Sequence, residues 1–287
     1  MSIKAVENEI ENAASLKVLV ETYKLMAANS MRRIRSSVLE NRAFHLGLND
    51  VYQEVKRSYE IIISAEARKK NKPKRTPLVA GKTAKSVYAL ISANTGLYGE
   101  VISKTFSLFA EAVRNDKPDE VVVIGKVGEA FFRETMPGRK FSYFDFPDTQ
   151  ISLEGLRAVA GHLKKFDRAV VFHGVFKSFL SQVAVSSPIS GEVLEKTTQA
   201  AERVRYIYEP TLEVVAAFFE TEIFVSLLEQ IFHESRLSKL ASRMMLLDRS
   251  GQTIDGFVKK LFLQQQRIRH RIFNNKQMDT VRGIIAS

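Results

Sequence analysis

Along the C-terminal part of the chain, Leu237, Leu240, Met244, Leu247, Gly251, Ile254, Val258, Leu261, Gln265, Ile268 and Ile272 follow one another at alternating steps of three and four. A strict seven-residue apolar repeat winds helices into a left-handed coiled coil. Only Gly251 and Gln265 interrupt the apolar character of this seam, and no proline follows Pro210. At about 1.5 Å per residue, residues 235–285 predict a rod of roughly 75 Å, longer than most globular domains can bury. The N-terminal segment supplies a partner. Ile3, Val6, Ile10, Ala13, Leu16, Val20, Tyr23 and Ala27 form a similar stripe, and Leu48, Tyr52, Val55, Tyr59 and Ile62 resume it. Between these stripes, Met31-Arg32-Arg33-Ile34-Arg35 leaves the register undefined. Two long helices at opposite chain ends, each with one apolar stripe, are best satisfied by antiparallel pairing.

The pattern changes in the middle. Short β-rich runs at 87–91, 120–124 and 168–172 read as strands, with a further candidate at 141–146. Helical patterns follow near 100–114, through Phe131, over 153–165 and near 176–182, and residues 183–189 and 204–208 read as edge strands. Strand–helix alternation predicts an α/β domain with a largely parallel, Rossmann-like sheet. The expected organisation is an N-terminal coiled-coil helix (1–67), a basic loop (68–77), the central α/β domain (78–209) and a C-terminal coiled-coil helix (210–287).

Charge sharpens this picture. The net charge is +11, and residues 236–287 hold eleven Lys or Arg against three Asp, whereas residues 1–60 are nearly balanced. A basic C-terminal helix points to an acidic partner surface, whether nucleic acid, anionic lipid or protein. The basic run through Arg68, Lys69, Lys70, Lys72, Lys74 and Arg75 carries Pro73 and Pro77 and reads as a solvated loop. The chain has no cysteine, which excludes disulfides and thiolate metal sites. No run approaches the roughly 20 apolar residues of a membrane span, and Glu7, Glu9 and Glu11 argue against a targeting segment. A soluble cytoplasmic protein is expected.

Catalytic patterns fail on inspection. Gly81-Lys82-Thr83 resembles the end of a phosphate-binding loop, but the required upstream glycine position holds Thr76. Gly125-Lys126-Val127-Gly128 follows a strand and opens a helix, yet lacks dinucleotide-fingerprint spacing. Close helix–strand packing is the simpler reason for these glycines, and for Gly96 and Gly99. His45, His162, His173, His233 and His270 show no metal-ligand spacing. Asp145 and Asp148 share a Phe-rich turn, where they suit either a cation or turn capping. No catalytic residue, cofactor site or metal site is expected.

The order helix, α/β domain, helix resembles the gamma subunit of rotary F-type ATP synthases, and several segments carry the resemblance. Residues 23–33 (YKLMAANSMRR) are similar to the family's stretch of apolar, Ala-Ala and basic residues. Gly96-Leu97-Tyr98-Gly99 stands where the family has Gly-Leu-Cys-Gly, and residues 124–132 (IGKVGEAFF) match its I-G-x-x-G-x-x-F-F segment. Tyr206-Ile207-Tyr208-Glu209-Pro210 resembles the turn that ends the family's domain. Ser242-Arg243-Met244 resembles Ala-Arg-Met, and Arg267-Ile268-Arg269 resembles part of Asn-Lys-Ala-Arg-Gln. Departures include Glu21 for Lys, Lys276 for Glu, Tyr98 for Cys and Glu100 for Gly.

The resemblance implies a non-catalytic rotor surrounded by three alpha- and three beta-type subunits, with an epsilon-type subunit and a membrane ring as further partners and no nucleic acid. It implies head-facing contacts at Arg32, Arg33, Arg267 and Arg269, and apolar bearing contacts at Met26 and Ile268. Asn274, Asn275 and Lys276 would meet a beta-subunit loop. It also implies a cytoplasmic location, peripheral to a bacterial inner membrane. The departures leave open a specialised hydrolytic member of the family. From the charge pattern alone, a basic coiled-coil scaffold or nucleic-acid-binding protein is the competing class.

Overall fold

The computed structural model describes residues 2–70, 85–189 and 211–285. Most of the basic stretch, Gly81-Lys82-Thr83 and the segments at 204–208 and 206–210 fall outside that range. The element order is α1 (Ile3–Lys70), β1 (Ser86–Ile91), α2 (Glu100–Asp116), β2 (Glu120–Ile124), α3 (Lys126–Thr135), β3 (Ser142–Phe144), α4 (Leu153–Leu163), β4 (Arg168–Ser178), β5 (Ser181–Pro188) and α5 (Leu212–Ile285). The helix α1 includes Arg68, Lys69 and Lys70, which the sequence assigns to a loop. Arg and Lys are strong helix formers, so charge alone does not end a helix. One compact unit comprises Met1–Ser30 with Arg243–Ser287, and the other comprises Met31–Ser242.

In the second unit the strands form one sheet in the order β3-β2-β1-β4-β5. The pairs β1–β2, β1–β4 and β2–β3 are parallel, and β4–β5 is antiparallel. Both faces of the parallel strands are covered, which is why Val121-Val122-Val123-Ile124 reads as a continuous apolar run. On one face Val87, Ala89, Ile91 and Val122 pack against Leu156, Val159 and Leu163 of α4, and against Leu228, Ile231 and Phe232 of α5. On the other, Tyr88, Leu90 and Val123 meet Phe106, Phe109 and Val113 of α2 and Phe132 of α3. Phenylalanines fill this second layer edge-on, with Phe109 to Phe172 at 5.4 Å and Phe132 to Phe141 at 5.0 Å between centroids. Such pairs add about 0.5–1.5 kcal/mol beyond their buried area.

The helix expected near 176–182 is not formed. Instead β4 continues to Ser178, the chain turns at Phe179 and Leu180, and β5 returns with Val175 paired to Val183 and Phe176 to Gln182. Ladder pairing with a neighbouring strand overrides a weak local helical pattern here.

Candidate functional site

The first unit is built from the start of α1 and the end of α5, and its burial pattern identifies the seam. On α5, Leu247, Gly251 and Leu261 are buried, and Met244, Ile254, Val258, Gln265 and Ile268 are half-buried, while the residues on the opposite side are exposed. Ile272, at the end of the expected seam, is exposed. On α1 the buried positions are Val6, Ala13, Val20 and Ala27, with Ile10, Lys17 and Lys24 half-buried between them. This corrects the sequence stripe. Leu16 and Tyr23 are 51% and 47% exposed, and Lys17 and Lys24 occupy the seam slots one residue further on. A lysine's aliphatic stem can line an apolar seam while its ammonium reaches past the edge. The three-four spacing runs on to Ile34 and Val38, both buried, through the stretch that the sequence left without a register.

Both seam lysines are paired. Lys17 Nζ donates to Asp255 Oδ1 at 2.5 Å, and Lys24 Nζ donates to Asp248 Oδ1 at 2.6 Å. Further along, Gln265 Nε2 donates to Glu7 Oε1 at 3.0 Å, and Arg269 Nη2 approaches the same oxygen at 3.4 Å. Seven residues forward on α1 move the partner seven residues back on α5, so the helices are antiparallel. The hydrogen bond from Lys24 and its charge hold the Asp248 carboxyl below its usual value.

Within the first unit, the residues that the resemblance marks do not form one cluster. Met26 is 59% exposed on α1, and Arg32 and Arg33 are exposed further along the same helix. On α5, Arg267 is exposed, Ile268 sits half-buried in the seam, and Arg269 is drawn toward Glu7. Asn274, Asn275 and Lys276 are exposed within a stretch, 271–282, in which every residue is exposed.

The second unit holds its own polar network at the carboxyl ends of its strands. Asp148 Oδ2 accepts from the backbone N–H groups of Asn94 and Thr95 at 2.9 and 3.0 Å, and from Thr95 Oγ1. Lys239 Nζ donates to Asp148 Oδ1 at 3.0 Å and to the Ser92 carbonyl at 2.9 Å. The Lys239 and Asp148 side chains are 9% and 7% exposed. Burial pushes the Asp148 carboxyl up, but the Lys239 charge and these hydrogen bonds outweigh it and hold it below its ordinary value. Asp148 is therefore a loop cap with both oxygens committed. Sequence reasoning misses this pair because Lys239 stands 91 residues away.

The turn at Gly125 is closed to phosphate by its own neighbours. The N–H of Lys126 donates to Asn94 Oδ1 at 3.0 Å, and that of Val127 donates to the Ala93 carbonyl at 2.9 Å. These are donors that an anion at a helix N-terminus would use. A Cβ on Gly125, where φ is +99°, would lie 2.9 Å from the Ala93 backbone, and one on Gly128 would lie 2.6 Å from Ser92 Cβ. Gly99 similarly packs against Ser242, but Gly96 has open space around it, so close packing does not explain Gly96. At the opposite ends of the strands, Ser142 Oγ and His162 Nε2 each lie 2.6 Å from Glu120 Oε1. The serine is bonded to the carboxylate and not to the imidazole, so the three groups lack the serine–imidazole contact of a Ser-His-Asp triad. Among the described residues no group of acidic or histidine side chains is arranged to hold a metal.

Residues 2–284 match the family model described as ATP synthase. The chain is 22% identical over 291 residues to the ATP synthase gamma chain of Clostridium acetobutylicum, covering 97% of this chain and 95% of that one. It is 23% identical over 293 residues to the gamma chain of Amoebophilus asiaticus, covering 98% and 97%. A chain of the central stalk and c-ring of Tetrahymena thermophila mitochondrial ATP synthase shares the fold, with a TM-score of 0.55 at 20% identity over 81% of this chain and 99% of that one. A chain of the Euglena gracilis mitochondrial enzyme gives 0.52 at 13% identity, covering 90% and 95%.

Proposed function

Because this chain belongs to the ATP synthase family, as a gamma-type rotor subunit of an F-type complex, we propose that it carries no catalytic group and acts on nucleotide sites held by its partners. The observation that carries this reading is the antiparallel pairing of helices of 68 and 74 residues drawn from opposite chain ends. Such a pair offers a stiff, asymmetric surface. In a ring of three alpha- and three beta-type subunits, it contacts each catalytic site differently and so sets a different nucleotide affinity at each; turning exchanges those states. This is population shift driven by differential contacts. Arg32, Arg33, Arg267 and Arg269 supply cationic contacts to acidic loops of that head. Met26, and the outward side of Ile268, supply apolar bearing contacts, and Asn274, Asn275 and Lys276 meet a beta-type loop. An epsilon-type subunit and a membrane ring complete the rotor, at the cytoplasmic face of a bacterial inner membrane. No described helix is long and apolar enough to cross a membrane, which fits a peripheral place in such a complex.

Affinity purification of the full chain from its native source tests this. Alpha- and beta-type ATPase subunits are expected to co-purify at about three copies of each per chain. Recovery of the chain alone, or bound to nucleic acid, would overturn the reading.

A further inference from the structure

We infer that Lys17 and Lys24 with Asp255 and Asp248 form a register lock, which fixes the axial alignment of the paired helices that their apolar seam leaves ambiguous. The inference does not depend on what the pair turns against.

The ambiguity follows from the seam itself. Within this unit its buried α1 positions are Val6, Ala13, Val20 and Ala27, which repeat every seven residues with only Val and Ala. Opposite Val20 stands Gly251, where an added Cβ would lie 3.9 Å from Val20 Cγ1. Sliding one helix by a heptad returns apolar residues to apolar slots, because Val20 then faces Met244 or Val258. Small side chains make shallow knobs, so the seam distinguishes these alignments weakly.

The lysine rungs are not periodic in the same way. Sliding in one direction sets Lys17 against Phe262 and strips Asp248 of its lysine. Sliding in the other direction gives Lys17 to Asp248 and leaves Asp255 unpaired. Only the observed alignment satisfies both lysines and both aspartates. A polar residue at a core position fixes register at some cost in stability. Each rung is half-exposed, with side-chain exposures of 43% and 48% for one pair and 33% and 43% for the other. Its contribution is therefore alignment more than strength.

The chain has no native cysteine, so introduced thiols report alignment directly. V20C/G251C reads the observed register, and V20C/V258C reads the slipped one. With the lock intact, oxidation of the full chain should favour the first disulfide by about tenfold or more. In the K17L/K24L/D248L/D255L background, the slipped product should rise to a comparable yield. The reversed lock, K17D/K24D/D248K/D255K, should restore the original preference. If the leucine background still forms only the V20C/G251C product, or if the reversed lock slips as the leucine one does, the inference fails. Should the fourfold leucine chain not fold, K17L/D255L decides in the same way, by whether the slipped product appears.

Discussion

At the scale of single residues, the most exacting contact is the one between Asp148 and Lys239. Both side chains are nearly covered, and the carboxylate also holds the loop at Asn94 and Thr95. Removing one partner of such a pair leaves the other charged, buried and unmatched, which costs about 3–5 kcal/mol. Lys239→Met is therefore expected to lower the urea midpoint of the full chain sharply at pH 7. The pH dependence has a definite sign. The folded carboxyl sits below its ordinary value of 3.8, so its stabilisation is fully present above that value and is lost as pH falls through the depressed one. A urea titration series from pH 6 to pH 2.5 should show the wild-type midpoint falling in the acid range. Asp148→Asn, weaker throughout, should fall less over the same range. Equal slopes for the two chains would remove Asp148 from the account.

At the scale of elements, what was legible depended on whether a position's chemistry matched its place. The α5 seam is readable because Leu247, Ile254, Val258 and Leu261 are apolar where the heptad requires it. Two of the seven α1 seam positions are not, because Lys17 and Lys24 stand where a periodicity search expects hydrocarbon, and it selects Leu16 and Tyr23 instead. The strands β1, β2 and the first half of β4 announce themselves as short apolar runs. The outer half of β4 does not, since its strand state depends on Val183 and Gln182 across the hairpin. The Asp148–Lys239 pair joins residues whose proximity only the tertiary fold creates. Gly251 provides a test of the helix pair as an element. It lies buried in the seam with room for a methyl at ordinary contact distance from Val20 and Glu21. Gly251→Ala should stabilise the helix by about 1 kcal/mol and raise Tm by about 2–4 °C, followed by far-ultraviolet circular dichroism. A lower Tm would mean that the seam is tighter than described.

For the whole molecule, stability and assembly should be separable. Every residue from 271 to 282 is exposed, and α1 begins at Ile3, near the level of Arg269. A chain ending at His270 should keep its Tm within about 2 °C of the full chain, while recovering markedly less of the alpha- and beta-type subunits on purification. Unchanged recovery would place the essential contacts elsewhere. The antiparallel pairing also has a consequence for how the molecule is made. Lys17 and Asp255 are separated by 238 residues, so the first helix to leave the ribosome must wait for almost the last. At about 5–20 residues per second, that wait is on the order of 10–50 s. Throughout it, the Val and Ala stripe of α1 is without its partner helix. Lysines at two of the seam slots make that waiting surface less adhesive than an all-leucine seam would be. The lysines that we infer to align the finished pair are thus expected also to weaken pairing of the nascent stripe with a wrong neighbour.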